Sequence, residues 1–410
     1  MTSRTLEVHL VKKRDWMIIT LLGLIHSSSH FFQLIIPTLF VYLNQDFGYD
    51  YVRLGFLVSC CYVVSGLGQA SSGFVVDKIG PAPVMFFGLG AFVVSACLLA
   101  LAPNYAVLVL AAIIGGAGNS IFHPVDYTII NHRISTARLG HAYSVHGFTG
   151  YLGWAATPLF ITLLASAYGW RFAVMMAGLC IGLLLLISIW QRDLWGKAPQ
   201  AVEDPSQTAN QSIGATLRFL LRQPALWGAF LFFAFSSAGL SAIQNYSIPL
   251  LSSVYGLSQV VAGSTLSAYM VAAALGMIAG GFLVGASKKT ELTIFIMLCL
   301  AGLCMLLLAL NLVSASVAIV LVVLGGVCSG VAAPSRDMLI RSVTPKGATG
   351  SVYGLVYCGM DVGAAVAPVV FGQLVDAQLD KAPWYGGAFA FVMSAALALL
   401  VAKGAARQHR

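Results

Sequence analysis

Ionisable side chains inside long apolar segments are the residues of this sequence that could do chemistry. In a membrane such a charge costs at least about 2.5–3.5 kcal/mol, so the side chain normally faces a cavity or an interacting group. The residues that meet this condition are His26, His30, His123, Asp126, His146, Arg336, Asp337 and Asp361. Imidazoles and carboxyls can exchange protons or bind ions, and a guanidinium can bind an anion.

Two of the histidines share one helix face. His26 and His30 are four residues apart in an apolar segment, and residues at this spacing lie one above the other on a helix. Two imidazoles at that place could bind an anion, relay protons or hold a metal ion. We expect no metal site, because no cysteine or acid lies within a helical turn of either histidine. The alternative is a polar, hydrogen-bonded helix contact, since the three residues between them are serines.

The second half of the chain adds an isolated acid and a polar segment. Asp361 has no basic neighbour within a helical turn and lies about 16 Å along its apolar segment. A carboxyl without a counterion suits proton exchange, although a hydrogen-bonded structural acid is the alternative. In segment 225–253, Ser236, Gln244 and Asn245 are candidate hydrogen-bond partners for a polar substrate.

Two parts of the chain, 47–158 and 255–368, carry one pattern twice. Gly48, Gly55, Ser59, Gly68, Gly73 and Phe74 recur at a constant spacing as Gly256, Gly263, Ser267, Gly276, Gly281 and Phe282. Further along, Gly116, Pro124 and Pro158 recur as Gly326, Pro334 and Pro368. Such matches indicate tandem halves of about six helices, an arrangement that many secondary transporters use to build a site between the halves.

The repeat places Asp126 and Arg336 at equivalent positions of the two halves. Opposite charges at equivalent positions could meet and form a gate that is closed when the site faces outward. In the alternative, each charge pairs within its own half: Asp126 with Arg133 or Arg138, and Arg336 with Asp337.

Three residues before Asp126, and on the same helix face, lies His123. Pro124 follows it, and because proline has no N–H, the backbone carbonyl of Ser120 is predicted to be free of a helical hydrogen bond.

Composition decides the class of protein. Apolar residues make up 59% of the chain and charged residues 9%, against roughly 45–50% and 25% in soluble domains. We therefore predict an all-α membrane protein with about 12 transmembrane helices, at about 34 residues for each helix and its loop. The predicted spans are 16–43, 52–75, 81–103, 105–131, 140–166, 170–191, 225–253, 259–286, 291–312, 315–342, 350–376 and 384–402. They form two pseudo-symmetric six-helix bundles, 1–191 and 224–410, joined by a cytoplasmic linker at 192–223 that includes a short surface helix near 212–222.

The net charge of +8 is explained by where the basic residues lie. They concentrate in the segments on the side of the two termini, and the opposite side has only Arg53, Arg171 and Lys381. By the positive-inside rule, both termini are predicted to be cytoplasmic. No basic surface is left over for a nucleic acid. No ATP-binding motif of the form G-x-x-x-x-G-K-[ST] is present, so the energy is expected to come from an ion or substrate gradient, without a cofactor.

The segment Gly73–Pro81 (GFVVDKIGP) resembles the G-x-x-x-D-[RK]-x-G signature of the major facilitator superfamily, and the superfamily resemblance covers the whole chain. It implies the fold of two six-helix bundles and an ionic latch at Asp77; in the second half Gly285 stands at the acid position. It also implies that the first span, with its two histidines, lines a central cavity. Within the superfamily, three segments of the first half resemble the fosmidomycin-resistance group: 25–31, 116–124 and 138–144.

The predicted function is that of a proton-coupled secondary transporter, which moves a small organic anion or polar metabolite by alternating access. The resemblance implies an alternative, a drug or toxic-metabolite exporter that exchanges its substrate for protons. A receptor or a membrane enzyme is disfavoured, because the sequence has neither a long cytoplasmic tail nor a nucleophile–base set. The expected partners are the substrate, protons and the bilayer of the plasma (cell inner) membrane, with the chain as a monomer.

Three sets of site residues follow from this hypothesis. The predicted substrate-binding residues are His26, His30, Gln33, His123, Ser236, Gln244, Asn245 and Arg336. The predicted proton-coupling residues are Asp361, Asp126 and His123. The predicted gate or latch residues are Asp126, Arg336, Asp77, Arg133 and Arg138.

Overall fold

The computed structural model describes residues 3–196, 224–286, 289–343 and 349–408. Apart from two 3₁₀ turns, Thr136–Arg138 and Arg192–Leu194, the regular elements in these ranges are α-helices. They are α1 (Ser3–Gln33), α2 (Ile35–Thr38), α3 (Phe40–Phe47), α4 (Tyr51–Ile79), α5 (Pro81–Leu101), α6 (Tyr105–Asn119), α7 (Phe122–Arg133), α8 (Leu139–Tyr168), α9 (Trp170–Trp190), α10 (Pro224–Tyr255), α11 (Gln259–Ala286), α12 (Thr290–Leu310), α13 (Ala315–Val343), α14 (Thr349–Asp376) and α15 (Ala382–Gln408). Residues 197–223 of the predicted linker, with its surface helix near 212–222, lie outside the described residues.

Eleven helical stretches among the described residues are long and apolar enough to cross a membrane. They coincide with the second to the twelfth predicted spans. The first predicted span, 16–43, is divided among α1, α2 and α3, with interruptions at Leu34 and Leu39. Pro37 lies in α2, where it cannot donate the backbone hydrogen bond of a continuous helix.

An apolar outer surface is visible on individual helices. On α9, Leu179, Leu183, Leu186 and Trp190 are all exposed, and their spacing of three to four residues places them on one face. A soluble helix would present polar residues on such a face, whereas lipid chains are as apolar as leucine. The stripe therefore fits a helix that faces the hydrocarbon of a bilayer.

The chain forms two compact units. The first comprises Met1–Phe47 and Cys60–Gln200, and the second comprises Gly48–Ser59 and Ala201–Arg410. Residues 48–59, which the sequence analysis assigned to the first bundle, belong to the second unit because Asp376 holds the start of α4. The Asp376 carboxylate accepts the backbone N–H groups of Tyr51 and Val52 at 2.9 and 2.8 Å, two donors that a helix leaves unpaired at its N-terminus.

Each unit packs its helices in the same pairs. In the first unit α1 packs along α8, and α5 packs against α6 and α9. In the second unit the repeat-related pairs are α10 with α14, and α12 with α13 and α15.

Close helix contacts occur at repeated glycines. A Cβ on Gly116 would collide with the carbonyl oxygen of Cys61, and a Cβ on Gly326 would collide with that of Tyr269. Gly153 and Gly363 recur at the same spacing in the sequence as Gly116 and Gly326, and they lie against the carbonyls of Ser27 and Ala234, respectively. The repeated glycines are therefore places where two backbones meet, as small residues allow in membrane bundles.

Proline at the break between α6 and α7 contributes to the same packing. Pro124 lies in the first turn of α7 and has no N–H for the carbonyl of Ser120. That carbonyl accepts the hydroxyl of Ser72 at 3.0 Å instead. The break places the following turn, with His123 and Asp126, beside α1 and α8.

Candidate functional site

A buried carboxylate is the centre of the site in the first unit. Asp126 on α7 is wholly buried. Its Oδ2 atom lies 2.9 Å from Nδ1 of His26 on α1 and 3.0 Å from Nε2 of His146 on α8. The other carboxylate oxygen is buried without a hydrogen-bond partner among the described residues. One oxygen is thus shared between two imidazoles that come from different helices.

Two more histidines complete the cluster. The ring of His26 stacks on that of His146, with 3.6 Å between the centroids, and lies 4.6 Å from His30 and 5.4 Å from His123. Both ring nitrogens of His30 and Nδ1 of His123 are buried and have no hydrogen-bond partner in the described parts of the chain. The four histidines His26, His30, His123 and His146, together with Asp126, form the histidine cluster.

Gly150 on α8 makes room for these rings. A Cβ at this position would lie 3.1 Å from Nε2 of His26 and 3.2 Å from Nε2 of His30. Both nitrogens therefore face the backbone of α8 at Gly150, and a side chain at position 150 would crowd the two rings.

The protonation of the histidine cluster sets its net charge. With Asp126 ionised and one imidazole protonated, the cluster is neutral, and a second proton makes it cationic. In a medium of low dielectric constant such a change in charge strongly alters the affinity for an anion. The arrangement can exchange protons, bind an anion when protonated, or ligate a metal ion through neutral ring nitrogens.

A fixed polar network adjoins the cluster. The indole of Trp154 packs against His30, with ring centroids 4.3 Å apart, and donates to Oε1 of Gln33 at 3.0 Å. Gln33 Nε2 donates to Asn119 Oδ1 at 3.0 Å, and Asn119 Nδ2 donates to Ser65 Oγ at 2.8 Å. Gln33, a predicted substrate-binding residue, is thereby held in one orientation beside His30.

Three of these residues were missing from the predicted site sets. His146 was recognised as ionisable within an apolar segment, but nothing in the sequence linked it to Asp126. Asn119 lies in segment 116–124, which carried part of the resemblance, and Trp154 lies in the predicted span 140–166. Their amide and indole groups in apolar helices were the signal that could have identified them, because such groups need a partner when buried.

The alternative in which Asp126 pairs locally with Arg133 or Arg138 is wrong. Arg138 binds Asp15 at 2.9 Å, and Arg133 donates to the backbone carbonyls of Leu194 and Asp193, both at 2.9 Å. Asp126 binds His26 and His146 instead. The physical reason is helical rotation: α7 turns Asp126 towards α1 and α8, whereas the two arginines lie at or beyond its end. Asp77, the predicted latch acid, is exposed.

In the second unit, the predicted site residues are engaged mainly with their neighbours. The Arg336 guanidinium binds Asp337 at 3.0 Å and lies over the ring of Phe233, 5.2 Å from its centroid. This is the local pairing that the sequence left open as an alternative. Arg336 and Asp126 belong to different units, so the gate between them stays a prediction.

The polar residues of α10 have mixed surroundings. Asn245 donates to the backbone and hydroxyl of Ser241 at 2.9 and 2.6 Å, whereas Gln244 Nε2 is buried without a partner among the described residues. Ser236 is hydrogen-bonded to Ser394 on α15. Asp361 on α14 is partly buried and forms no ion pair within the described ranges.

Comparison with known proteins decides the family. The sequence model described as Major Facilitator Superfamily matches residues 21–368 and 235–408. This chain belongs to that superfamily. The match confirms the superfamily resemblance, and the eleven long apolar helices among the described residues agree with the predicted multi-pass membrane protein.

Individual relatives of this superfamily member are distant. The Fosmidomycin resistance protein of Escherichia coli is 25% identical over 63% of both chains, in agreement with the predicted subgroup resemblance. The uncharacterised transporter YfnC of Bacillus subtilis is 26% identical over 48% of both chains. The chain thus spans about half to two thirds of the length of these curated relatives. A bacterial homolog of the human lysosomal transporter Spinster has the same fold, with a TM-score of 0.75, 15% identity and 96% of both chains covered.

Proposed function

We propose that the chain is a proton-coupled secondary active transporter that moves a small organic anion or polar metabolite by alternating access. The observation that supports it most directly is the wholly buried Asp126, whose one oxygen lies between His26 and His146. A buried acid in a transporter usually belongs to a proton or ion pathway. Family membership supports the transport part of the proposal, and the histidine cluster supports proton coupling because its groups can bind and release protons.

Proton and anion binding are linked in such a cluster. When the cluster has taken up one proton beyond neutrality, it carries a positive charge that attracts an anion, and by linkage a bound anion favours retention of that proton. His30 and His123 have ring nitrogens without partners, which leaves them able to donate to or accept from a polar substrate. Gln33, fixed by Trp154 and Asn119, would add a directional contact beside them.

The rest of the proposed architecture extends the family fold. It has twelve spanning helices in two six-helix bundles, both termini in the cytoplasm, and a monomer in the plasma (cell inner) membrane. Asp361 acts as a second proton-coupling group, and Arg336 with Ser236, Gln244 and Asn245 completes the substrate contacts. The positive-inside distribution of basic residues supports this orientation.

A ligand screen followed by vesicle transport tests the proposal. The purified protein is screened by thermal shift against small organic acids, since a ligand that binds the native state raises Tm. With a hit in hand, wild type in proteoliposomes should accumulate it when a pH gradient is imposed, and collapse of the gradient should stop accumulation. Asp126→Asn should bind and exchange the ligand but lose gradient-driven accumulation.

Asp50→Asn is the matched control. Asp50 is an exposed acid of the same chain that accepts the N–H of Arg53, a contact that asparagine retains. Gradient-driven accumulation by Asp126→Asn at the wild-type rate would contradict the assigned role of the carboxyl.

An exporter is the second candidate, favoured by the similarity to the Fosmidomycin resistance protein. In this case expression of the chain should raise the fosmidomycin concentration that inhibits a sensitive bacterial host. The effect should disappear when a protonophore abolishes the proton gradient. Unchanged susceptibility, together with a thermal-shift hit among metabolites, would favour the first candidate.

A further inference from the structure

Three histidines of the cluster have ring nitrogens that lie close together. His26, His123 and His146 each offer one nitrogen, and these three atoms all lie within 4.8 Å of one another. A tetrahedral Zn²⁺ with bonds of about 2.0–2.1 Å places its ligand nitrogens about 3.3–3.4 Å apart. Because the His26 and His146 rings are already stacked, the rings have to turn rather than approach, so that their nitrogens converge by up to about 1.5 Å. The broad χ2 torsion of histidine allows such a rotation.

Asp126 is placed to orient two of these rings. Its Oδ2 lies 2.9 Å from Nδ1 of His26, which leaves Nε2 of that ring as the ligand atom, and 3.0 Å from Nε2 of His146, which leaves Nδ1. A carboxylate that holds the second nitrogen of a ligating histidine is the common outer contact of protein zinc sites, where it fixes the tautomer and the ring orientation.

Unpartnered nitrogens lie at the same place. Nδ1 of His123 is buried without a hydrogen-bond partner in the described residues, as are both ring nitrogens of His30. Native proteins rarely leave buried polar atoms without partners. His30, with its ring centroid 4.6 Å from that of His26, is close enough to serve as a fourth ligand or to bind a water on the ion.

We propose that His26, His123 and His146 bind one divalent late first-row transition-metal ion, such as Zn²⁺ or Co²⁺, with Asp126 as the orienting carboxylate. Imidazole nitrogen suits Zn²⁺, Co²⁺, Ni²⁺ and Cu²⁺, whereas Mg²⁺ and Ca²⁺ prefer oxygen ligands. The site goes beyond proton-coupled transport, because binding requires neither a gradient nor an organic substrate.

Cobalt binding to the purified full-length protein tests the site. The protein carries no oligohistidine tag, and Co²⁺ is added in detergent solution without a pH gradient. We expect one Co²⁺ per chain, with the intense visible absorption of a tetrahedral cobalt centre, and displacement by Zn²⁺. His26→Ala, His123→Ala and His146→Ala should each weaken Co²⁺ binding by at least about tenfold, and Asp126→Asn by about 10–100-fold.

His132→Ala is the matched control. His132 lies on α7 together with His123, is exposed, and its Nδ1 contacts only the backbone carbonyl of Thr128 among the hydrogen bonds found. Its substitution should leave the affinity and the absorption unchanged. Absence of stoichiometric binding to wild type overturns the proposal, as does binding that survives the triple alanine variant or is lost equally in His132→Ala.

X-ray absorption of Zn²⁺ bound to wild type keeps the test decisive if the alanine variants fail to fold. The spectrum should show nitrogen neighbours at about 2.0–2.1 Å with imidazole scattering, whereas sulfur neighbours at about 2.3 Å or an all-oxygen shell would refute the assignment. Both measurements are made without transport. The metal site can therefore be confirmed when proton coupling is refuted, and proton coupling can be confirmed when the metal site is refuted.

Discussion

Asp126 is an ionisable side chain in an environment where burial of its charge costs free energy. It is wholly buried, it lies between two imidazoles, and one of its oxygens has no partner among the described residues. The partners come from α1 and α8, so the carboxylate also joins three helices. Loss of its charge therefore affects both the chemistry of the site and the contacts of α7, which is why asparagine rather than alanine is the informative substitution for coupling.

At the residue scale, the two histidines of α1 are expected to contribute to substrate binding. His26→Ala and His30→Ala should each raise the Kd of the ligand found by thermal shift by at least about tenfold, or about 1.4 kcal/mol, because each removes a ring from the cluster. Isothermal titration of purified protein measures the effect, with His132→Ala as the control. If both variants bind with wild-type affinity, the two histidines form only a polar helix contact.

Asp361 is expected to be a second coupling residue. Asp361→Asn imitates the protonated carboxyl, so the carrier should still bind and exchange its substrate but lose accumulation driven by a pH gradient. Counterflow and gradient-driven uptake in proteoliposomes distinguish these two activities. A structural acid would instead lose expression or all activities together, and unchanged gradient-driven uptake would falsify the coupling role.

At the scale of elements, repeated glycines determine how closely the helices approach. Gly153 on α8 lies against the backbone of Ser27 on α1, in the helix pair that carries three of the four histidines of the cluster. Gly147 lies on the same helix with open space where a Cβ would be. The two positions therefore separate the effect of packing from the effect of helix propensity.

Gly153→Ala should destabilise the protein, whereas Gly147→Ala should not. The added methyl at position 153 forces α1 and α8 apart, at a cost of about 1–3 kcal/mol, while alanine at an open helical position is neutral or stabilising by up to about 1 kcal/mol. Thermal unfolding of the two variants in the same detergent measures the difference. Equal Tm values for the two variants would show that the close approach of α1 and α8 at Gly153 does not contribute to stability.

At the scale of the whole molecule, alternating access requires contacts that form in one state and break in the other. The repeat predicts that Asp126 and Arg336 form such a contact, although each has local partners in its own unit. Local partners can exchange for a new one during such a transition, so the predicted gate is compatible with the local pairs.

Removal of either end of this gate should shift the population towards the inward-open state. Asp126→Ala and Arg336→Ala remove one charge each, and the double variant Asp126→Arg with Arg336→Asp should partly restore the balance. Distance measurements between spin labels on the two units report the populations. A double-mutant cycle with additive effects would argue against a direct contact, since residues in contact couple by about 0.5–3 kcal/mol.

Composition, periodicity and repetition determined the class of this protein. An apolar fraction of 59% with 9% charge leaves only a membrane protein. Glycine and proline matches indicated the two repeated halves, and the segment Gly73–Pro81 carried the superfamily resemblance. These features can be predicted because they depend on local segments or on the recurrence of one segment in the same chain. The sequence also indicated which ionisable residues lie in apolar segments, because the free-energy cost of placing a charge in the membrane is a property of each side chain.

Only the tertiary structure decided which of these residues meet. Asp126 and His26 are separated by 100 residues, and no periodicity within one helix indicates which face packs against which neighbour. The breaks at Leu34, Leu39 and Ser120, and the close approach at glycines, set the rotation of α1, α7 and α8. That rotation gives Asp126 two imidazole partners in place of a local arginine, and it brings together histidines of three helices that the α1 sequence alone could not connect.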